Sequence, residues 1–481
     1  SIDGAGAIAA GTANVALTNT NGSISLANAG NQVNANRLNL SATATSAVNT
    51  NVATLSASIG GSNQGLTVGQ TTALALGNVS SNNGTLTFNV PGGLSGAGFV
   101  NAGTAGIVVL NAVSGSVNLS ANSGQVTASL LTLNAQNSST LNTSANTLNA
   151  NIAGSGQTLV INEFNGLAAG PAGIATNNGA ITLNLAAGSL TGDGAINAGT
   201  ANVSLTAATG GLSPNGVVSG NVLTLRAQNS STLSTNVSTL NANVTGSGQS
   251  LTVTEANGVA IGTGNIVTNN GNLTINATAG GINGTGRINT GSGNVTLRTP
   301  AGNVTLNSAA NQITANALTI SALNSTAVNT SISSLNAAIT GAGSLTVTEA
   351  DNIAITQART ANGAINFTTS ANSTVNISDI NAATGTNGNL TVINGNLFLD
   401  APGIRATQTV DLRQAQSVTV LSGGIIAPVV LLPTGQNTVN YLVTSSADAG
   451  PGSLRDVITR INAGGGTFNS TILVTSPTTV A

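Results

Sequence analysis

Short apolar–polar–apolar triplets recur along most of the chain, separated by small polar residues. Steps of 20–27 residues separate four consecutive examples, Val295-Thr-Leu297, Leu318-Thr-Ile320, Leu345-Thr-Val347 and Ile365-Asn-Phe367. Alternation with a period of two predicts strands of three to five residues. Asn-Gly pairs such as Asn178-Gly179 and Asn270-Gly271 predict tight turns between them. The pattern therefore predicts coils made of short strands and turns.

A longer repeat is superimposed on these coils. The seven residues AQNSSTL occur at Ala135–Leu141 and return at Ala227–Leu233, 92 residues later. Self-similarity at a fixed period indicates one structural unit stacked on itself. The copies, which we call super-repeats, span 2–93, 94–189, 190–281 and 282–373, and a degenerate fifth begins at 374. We expect about four coils of roughly 23 residues in each super-repeat.

These periods predict an all-β fold, a parallel β-helix or β-solenoid of about 20 coils. Stacked at about 4.8 Å per coil, they would form a rod on the order of 100 Å long. The super-repeats make residues 1–396 the regular solenoid. We expect divergent coils over 397–440, where the 92-residue repeat fades and charge returns.

Residues 441–481 have a different pattern and are predicted to be a capping segment or the start of a second module. Ser453 is a suitable N-cap for an amphipathic helix over 453–463, which Gly464-Gly-Gly466 would end. Helical spacing places four apolar residues on one face: Leu454, Val457, Ile458 and Ile461. The charged residues are expected on its solvent-exposed face: Arg455, Asp456 and Arg460.

The composition limits both the core and the chemistry. Hydrophobic residues make up 40% of the chain but aromatic residues only 1%, which predicts a thin core of small aliphatic side chains. Charged residues make up 4%, and the net charge of −2 offers no basic surface for nucleic acid or an anionic membrane. Without His or Cys, disulfides, Ser-His-Asp triads and most zinc sites are excluded.

Two further expectations come from the ends and the apolar runs. No apolar run approaches the roughly 20 residues of a membrane-spanning helix, so no transmembrane segment is predicted. Ile2 corresponds to Leu94 in the next super-repeat, which places Ser1 inside a repeat. We therefore expect the sequence to be part of a longer chain.

Asn recurs at equivalent turn positions. Asn14, Asn202 and Asn294 each precede the first long strand of a super-repeat, although Gly106 interrupts the series. Stacked amides can hydrogen-bond along the axis of a solenoid, so we predict Asn ladders. The alternative is that Asn serves only as a turn-forming residue.

Few residues are candidates for catalysis or metal binding. Glu163 and Glu255 are equivalent, and Glu349 lies near the next equivalent position. Four coils would separate successive members by roughly 19 Å, farther than the roughly 5–9.5 Å of glycosidase carboxylate pairs. We therefore expect repeated surface residues here. Glu349 and Asp351 alternate on one strand, but two carboxylates make a poor calcium site. No catalytic, cofactor-binding or metal-binding residue is assigned, and no cofactor is expected.

The body of the chain, from Ser1 to about Asn396, resembles the shaft of filamentous-haemagglutinin-like exoproteins and other large bacterial surface adhesins. The resemblance rests on the Asn- and Gly-rich turns and on V-x-L or L-T-V triplets at roughly 20-residue steps. It implies a right-handed parallel β-helix, export across the outer membrane and a role in attachment. The segment Val443–Ile458 resembles the short motif that opens many bacterial surface β-helix domains.

The leading functional hypothesis is a non-enzymatic structural or adhesive shaft of a secreted or surface-displayed bacterial exoprotein, located outside the cell. It would assemble head-to-tail with copies of itself into an extracellular filament, and cell-surface or matrix glycans are further candidate partners. One alternative is a carbohydrate-active β-helix lyase or hydrolase, with a carboxylate cluster within Asp351–Asp411. Another is a flat ice- or glycan-binding face made from Thr pairs such as Thr252/Thr254 and Thr346/Thr348.

Overall fold

The computed structural model describes residues 1–382, 385–433, 438–443, 445, 447, 449–450, 453–463 and 469–474. Strands make up 60% of the chain and helix 2%. Successive strands pair in parallel with strands roughly one coil later, for example Leu251 with Leu273 and Leu273 with Val295. The predicted all-β solenoid of about 20 turns and its one short helix near the C-terminus are confirmed.

Each complete super-repeat contains eight or nine strands in a similar order. The first contains β1 Ile2–Asp3, β2 Ile8–Ala9, β3 Asn14–Asn19, β4 Ile24–Leu26, β5 Val33–Ala42, β6 Ser46–Ser62, β7 Leu66–Gly69, β8 Leu74–Asn82 and β9 Thr85–Asn89. The second contains β10 Leu94–Ser95, β11 Val100–Asn101, β12 Ile107–Ala112, β13 Asn118–Leu119, β14 Val126–Ala135, β15 Ser139–Ser155, β16 Leu159–Glu163, β17 Leu167–Asn177 and β18 Ile181–Leu185.

The same order continues in the next two super-repeats. The third contains β19 Leu190–Thr191, β20 Ile196–Asn197, β21 Val203–Ala207, β22 Val218–Ala227, β23 Ser231–Val244, β24 Leu251–Glu255, β25 Val259–Thr268 and β26 Leu273–Ala277. The fourth contains β27 Ile282–Gly284, β28 Ile288–Asn289, β29 Val295–Thr299, β30 Thr305–Leu306, β31 Ile313–Ala322, β32 Thr326–Ile339, β33 Leu345–Glu349, β34 Ile353–Thr360 and β35 Ile365–Thr369.

The remaining elements continue the stack beyond residue 373. They are β36 Thr374–Ala382, β37 Leu390–Ile393, β38 Asn396–Ala406, β39 Thr409–Gln414, β40 Ser417–Val420, β41 Ile425–Ile426, β42 Val429–Leu431, β43 Thr438–Val443, α1 Leu454–Ala463 and β44 Asn469–Val474.

The described residues form two compact units, one of residues 1–238 and 244–246 and one of residues 239–243 and 247–481. In each unit the inward positions of the strands are mainly Leu, Ile, Val and Ala with almost no exposed surface. Phe88 is the largest buried side chain in the first unit, and Tyr441 and Phe367 are the largest in the second. The core is therefore a stack of aliphatic layers, as the composition predicts.

The first unit has two stacked faces that its core separates. Face A runs through Ile2, Ile24, Ser46, Leu66, Leu86, Val108, Leu131, Leu148, Leu167, Leu190 and Leu212. Face B runs through Val15, Leu38, Leu55, Leu74, Leu94, Val117, Ser139, Leu159, Ile181, Val203 and Leu223.

One super-repeat spans four and a half coils, not the four that the sequence spacing suggests. Four coils from Ile2 lead along face A to Leu86, yet the next super-repeat begins at Leu94 on face B. Four coils from Leu94 lead to Ile181, and the third super-repeat then begins at Leu190 on face A. Equivalent residues of successive super-repeats therefore lie on alternate faces.

The second unit has the same half-coil offset. Four coils from Ile282 pass through Val304, Thr326 and Leu345 to Ile365. The fifth super-repeat begins at Thr374, in a strand that stacks on β34 instead of on β35. Individual coils vary in length, from 17 residues between Leu318 and Leu335 to 25 between Ile365 and Leu390.

The Asn-Gly pairs form the predicted turns. Asn83, Asn178 and Asn270 have φ angles of 63°, 59° and 61°, in the left-handed region that Asn tolerates. The glycine that follows each Asn touches the backbone of the neighbouring coil: a Cβ on Gly179 would lie 1.7 Å from the carbonyl oxygen of Gln157. The close stacking of turns therefore requires glycine at this position.

The helix lies in the connection between β43 and β44, which pair with each other in parallel. Ser453 caps it as predicted, because its Oγ accepts a hydrogen bond from the Asp456 backbone N–H at 3.1 Å. Val457 is buried, whereas Ile458 is 44% exposed, so the apolar face is only partly covered. The predicted helix end at 464–466 lies outside the described residues.

We expect the Gly179→Ala substitution to destabilise the first unit by more than about 2 kcal/mol, because its Cβ would overlap a backbone carbonyl. Gly6→Ala is the matched control, since no atom lies within 4 Å of a Cβ built there. Urea unfolding followed by circular dichroism measures both variants. Equal unfolding midpoints for the two variants would contradict the close turn stacking.

Candidate functional site: buried carboxylates and surface amide ladders

The recurring Glu residues occupy one structural position. Glu163, Glu255 and Glu349 are the last residues of β16, β24 and β33, each a five-residue strand. Their side chains are 0%, 0% and 1% exposed, so the expectation of surface carboxylates is wrong. The reason is the strand alternation: positions one, three and five of L-x-V-x-E all point into the core.

The carboxylate of Glu163 receives hydrogen bonds from two coils. The Thr143 hydroxyl donates to Oε2 at 2.7 Å, and the Ala145 backbone N–H, in the same strand as Thr143, donates at 3.2 Å. From its own turn, Phe164 and Asn165 donate backbone N–H groups to Oε1 at 3.0 and 3.2 Å. Burial raises the pKa of Glu163, and these hydrogen bonds oppose that shift only in part.

Glu349 repeats this arrangement in the second unit. The Thr330 hydroxyl donates to Oε2 at 2.7 Å, and the backbone N–H groups of Ile332 and Ala350 donate to Oε1 at 3.2 and 3.0 Å. Burial, with a further contribution from the nearby Asp351 carboxylate, raises the pKa of Glu349 to about 7. In both units the carboxylate thus connects a strand to its own turn and to the preceding coil.

Gln70 occupies the same position in the first super-repeat. It directly follows β7, is 4% exposed and accepts hydrogen bonds from the Thr50 hydroxyl and the Val52 backbone N–H at 2.8 and 3.0 Å. Its own amide donates to the carbonyl oxygens of Val52 and Ala73, both at 2.9 Å. Because a neutral amide can replace the carboxylate, the position connects adjacent coils whether or not it is ionised.

Sequence reasoning missed this site, although the signal was present. A Thr precedes each acidic residue or its Gln counterpart by 19 or 20 positions: Thr50, Thr143, Thr235 and Thr330. All four Thr side chains are buried, which is unusual for a hydroxyl without a specific partner. The paired recurrence of Thr and Glu at one-coil spacing would have indicated a buried contact.

The acidic residues of 351–411 are dispersed along the stack. Asp379 accepts a hydrogen bond from the Arg359 Nε at 2.9 Å, and Asp411 accepts one from the Arg413 Nε at 3.0 Å. Asp351 accepts a hydrogen bond from the Ser331 hydroxyl at 3.1 Å. Within the described ranges, no three His, Cys, Asp or Glu residues are grouped so that they could hold a metal ion. The cluster that the carbohydrate-active alternative requires is not formed by these residues.

The predicted Asn ladders are present, and they join adjacent coils. Asn294 accepts a hydrogen bond from the Asn316 side-chain amide at 3.1 Å, and Asn14 accepts one from that of Asn36 at 3.5 Å. Asn202 instead accepts the backbone N–H of Val222 at 3.3 Å. The ladders thus arise from residues one coil apart.

Two longer ladders in the first unit were not predicted. On face A, Asn134 donates to Asn111 and Asn111 donates to Asn89, both at 2.8 Å. On face B, the series Asn184, Asn162 and Asn142 donates in the same direction at 3.0 and 2.9 Å. Their signal was an outward Asn two residues after the same inward position of successive coils.

The Thr pairs form only half of the array that an ice- or glycan-binding face would need. Thr252, Thr274, Thr296 and Thr319 are in register on four consecutive coils of the second unit. The neighbouring column contains Thr254, Asn276, Arg298 and Ser321. The T-x-T pair of Thr252 and Thr254 is therefore not repeated on the coils that stack on it.

Comparison with protein families, with curated proteins and with solved structures finds no match for this chain. Among the described residues, no helix is both long and apolar enough to cross a membrane.

The raised pKa of Glu349 predicts a pH-dependent stability. Between the ordinary value of 4.5 and about 7, the folded chain binds a proton that the unfolded chain does not. The free energy of unfolding therefore falls as the pH rises through this window, by at most about 1.4 kcal/mol per pH unit from this group. Glu349→Gln should remove that contribution and gain stability relative to the parent as the pH increases. Gln70→Glu should introduce a similar dependence in the first unit.

Urea midpoints measured from pH 4.5 to 8 test this pair of variants. Parallel pH profiles for the parent and Glu349→Gln would show that the buried carboxyl keeps its ordinary pKa.

The hydroxyl of Thr143 should contribute measurably to stability. Thr143→Val keeps the side-chain shape but leaves the Glu163 carboxylate without its shortest hydrogen bond, at a cost of about 1.5–3 kcal/mol. Thr182→Val changes an outward, half-exposed hydroxyl of the adjacent β18 and serves as the control. Chemical unfolding at pH 8 compares them, and an equal loss in both variants would argue against a special role for the buried contact.

Proposed function

We propose that this chain is a structural shaft segment of a secreted or surface-displayed bacterial adhesive protein. The observation that carries the proposal is the stacking of similar coils around a closed aliphatic core in both units. Such a scaffold grows by adding coils, so its length is set by the number of repeats. This property suits a part that holds an attachment site away from a surface.

The buried polar groups support the same function. Each carboxylate described above accepts hydrogen bonds from two neighbouring segments and has at most 1% of its surface exposed. A general acid or base must reach a substrate, whereas these groups join one coil to the next. The outward side chains are mainly Asn, Thr and Ser, which keep the faces hydrated with few charges.

Electron microscopy of the purified chain tests the shaft proposal. Ten consecutive coil-to-coil steps along face A, at about 4.8 Å each, should give the first unit a length of about 48 Å along its stack. We expect elongated particles, and head-to-tail filaments would add the self-assembly that the sequence analysis predicts. Only globular particles would contradict the proposal.

A second measurement separates the shaft from the enzymatic alternative. The chain is incubated with a panel of neutral and acidic polysaccharides, with and without calcium, and new reducing ends or unsaturated products are measured. We expect no turnover. Cleavage that depends on Asp351 or Asp411 would favour a carbohydrate-active enzyme over a shaft.

A further inference from the structure

The two long amide ladders of the first unit leave hydrogen-bonding capacity on the surface. An Asn side chain has two N–H donors and an oxygen with two lone pairs. Asn111 uses one N–H to reach Asn89 and one lone pair to accept from Asn134. Asn162, the middle residue of the other ladder, does the same between Asn142 and Asn184. Each therefore retains one donor and one acceptor, and both side chains are partly exposed.

The spacing of these groups restricts what can bind them together. Adjacent ladder residues belong to paired strands, which are about 4.8 Å apart. A partner that satisfies several coils at once must offer donors and acceptors at the same interval. Another stack of β-strands has this interval, and an amide ladder is self-complementary because it presents both donors and acceptors. A second copy of this chain meets both requirements.

The charge pattern around the ladders also fits a second copy. The outward residues of face A over six coils are all uncharged: Ala47, Asn49, Thr67, Gly69, Thr87, Asn89, Val109, Asn111, Thr132, Asn134, Asn149 and Asn151. In the sequence, no charged residue lies between Arg37 and Glu163, and the latter is buried. Two such faces can approach without like-charge repulsion, which otherwise keeps exposed β-structure apart.

An exposed apolar side chain lies at the end of each ladder's central strand. Val113 follows Asn111 by two residues and is 58% exposed, and Phe164 follows Asn162 by two residues and is 38% exposed. Most other large apolar side chains of this unit are buried. An apolar residue beside a row of amides gives a contact surface an anchor that loses water on association.

We propose that these two ladder faces are surfaces on which copies of the chain associate side by side. Each face pairs its amide ladder with that of a second copy, with Val113 or Phe164 packed at the margin. Because the two ladders lie on different faces, a chain can hold two neighbours, and association continues into bundles. This lateral contact is distinct from the head-to-tail contact and does not require a glycan.

Sedimentation equilibrium of the full chain over a concentration series tests the proposal. The principal variants are Val113→Ala with Phe164→Ala, since the equivalent positions hold Ala208 and Ala256 in another super-repeat. Phe99→Ala is the matched control, because Phe99 is 46% exposed but lies between β10 and β11, away from the ladder strands. A further variant, Asn111→Thr with Asn162→Thr, removes the amides and uses residues found at equivalent positions, Thr206 and Thr254.

We expect the parent to associate reversibly and both double variants to weaken its association constant by about tenfold or more. Phe99→Ala should change it by less than about twofold. Circular dichroism and the urea midpoint verify that every variant retains the fold. A parent that stays monomeric throughout, or an equal loss in Phe99→Ala and the ladder variants, would overturn the proposal. Elongated monomers in the microscope would do so without affecting the shaft function.

Discussion

The parallel pairing of each strand with the strand one coil later is the interaction on which the rest of the structure depends. It fixes the distance between coils at about 4.8 Å and therefore decides which side chains can be tolerated. At the turns, this distance leaves no space for a Cβ at Gly84, Gly179 or Gly271, where it would lie 1.7–1.8 Å from a carbonyl oxygen. On the outer faces, the same distance brings side-chain amides into hydrogen-bonding range. One backbone interval thus accounts for both the glycine-rich turns and the Asn ladders.

The buried Thr–Glu and Thr–Gln contacts add a second set of connections between coils. In an aliphatic core, the free energy of folding comes mainly from non-directional burial, which does not fix the register of one coil against the next. A carboxylate or amide with four defined partners is directional and holds the register. Gln70 and Glu163 have similar partners in successive super-repeats, so the geometry of the contact is retained while its charge is not.

Much of the fold could be predicted from the sequence because its signals are local. Alternating triplets, Asn-Gly turns and the Ser453 cap each depend on a few neighbouring residues, and all appear in the structure. The burial of Glu163 and the longer ladders could not be read in this way. They depend on which residues meet one coil apart, and coil length varies from 17 to 25 residues even within the second unit. A 92-residue period alone does not reveal how many coils it contains.

The half-coil offset gives the number of repeats a directional meaning. Adding one super-repeat to such a stack would turn everything beyond it by half a revolution, whereas adding two would restore the original orientation. Surface features inherited with each repeat consequently recur in the same direction only every second copy, about 184 residues apart (2 × 92). Whether the copy number is odd or even would then decide towards which side a downstream segment points. In a protein of this kind, length and orientation are set by the same count.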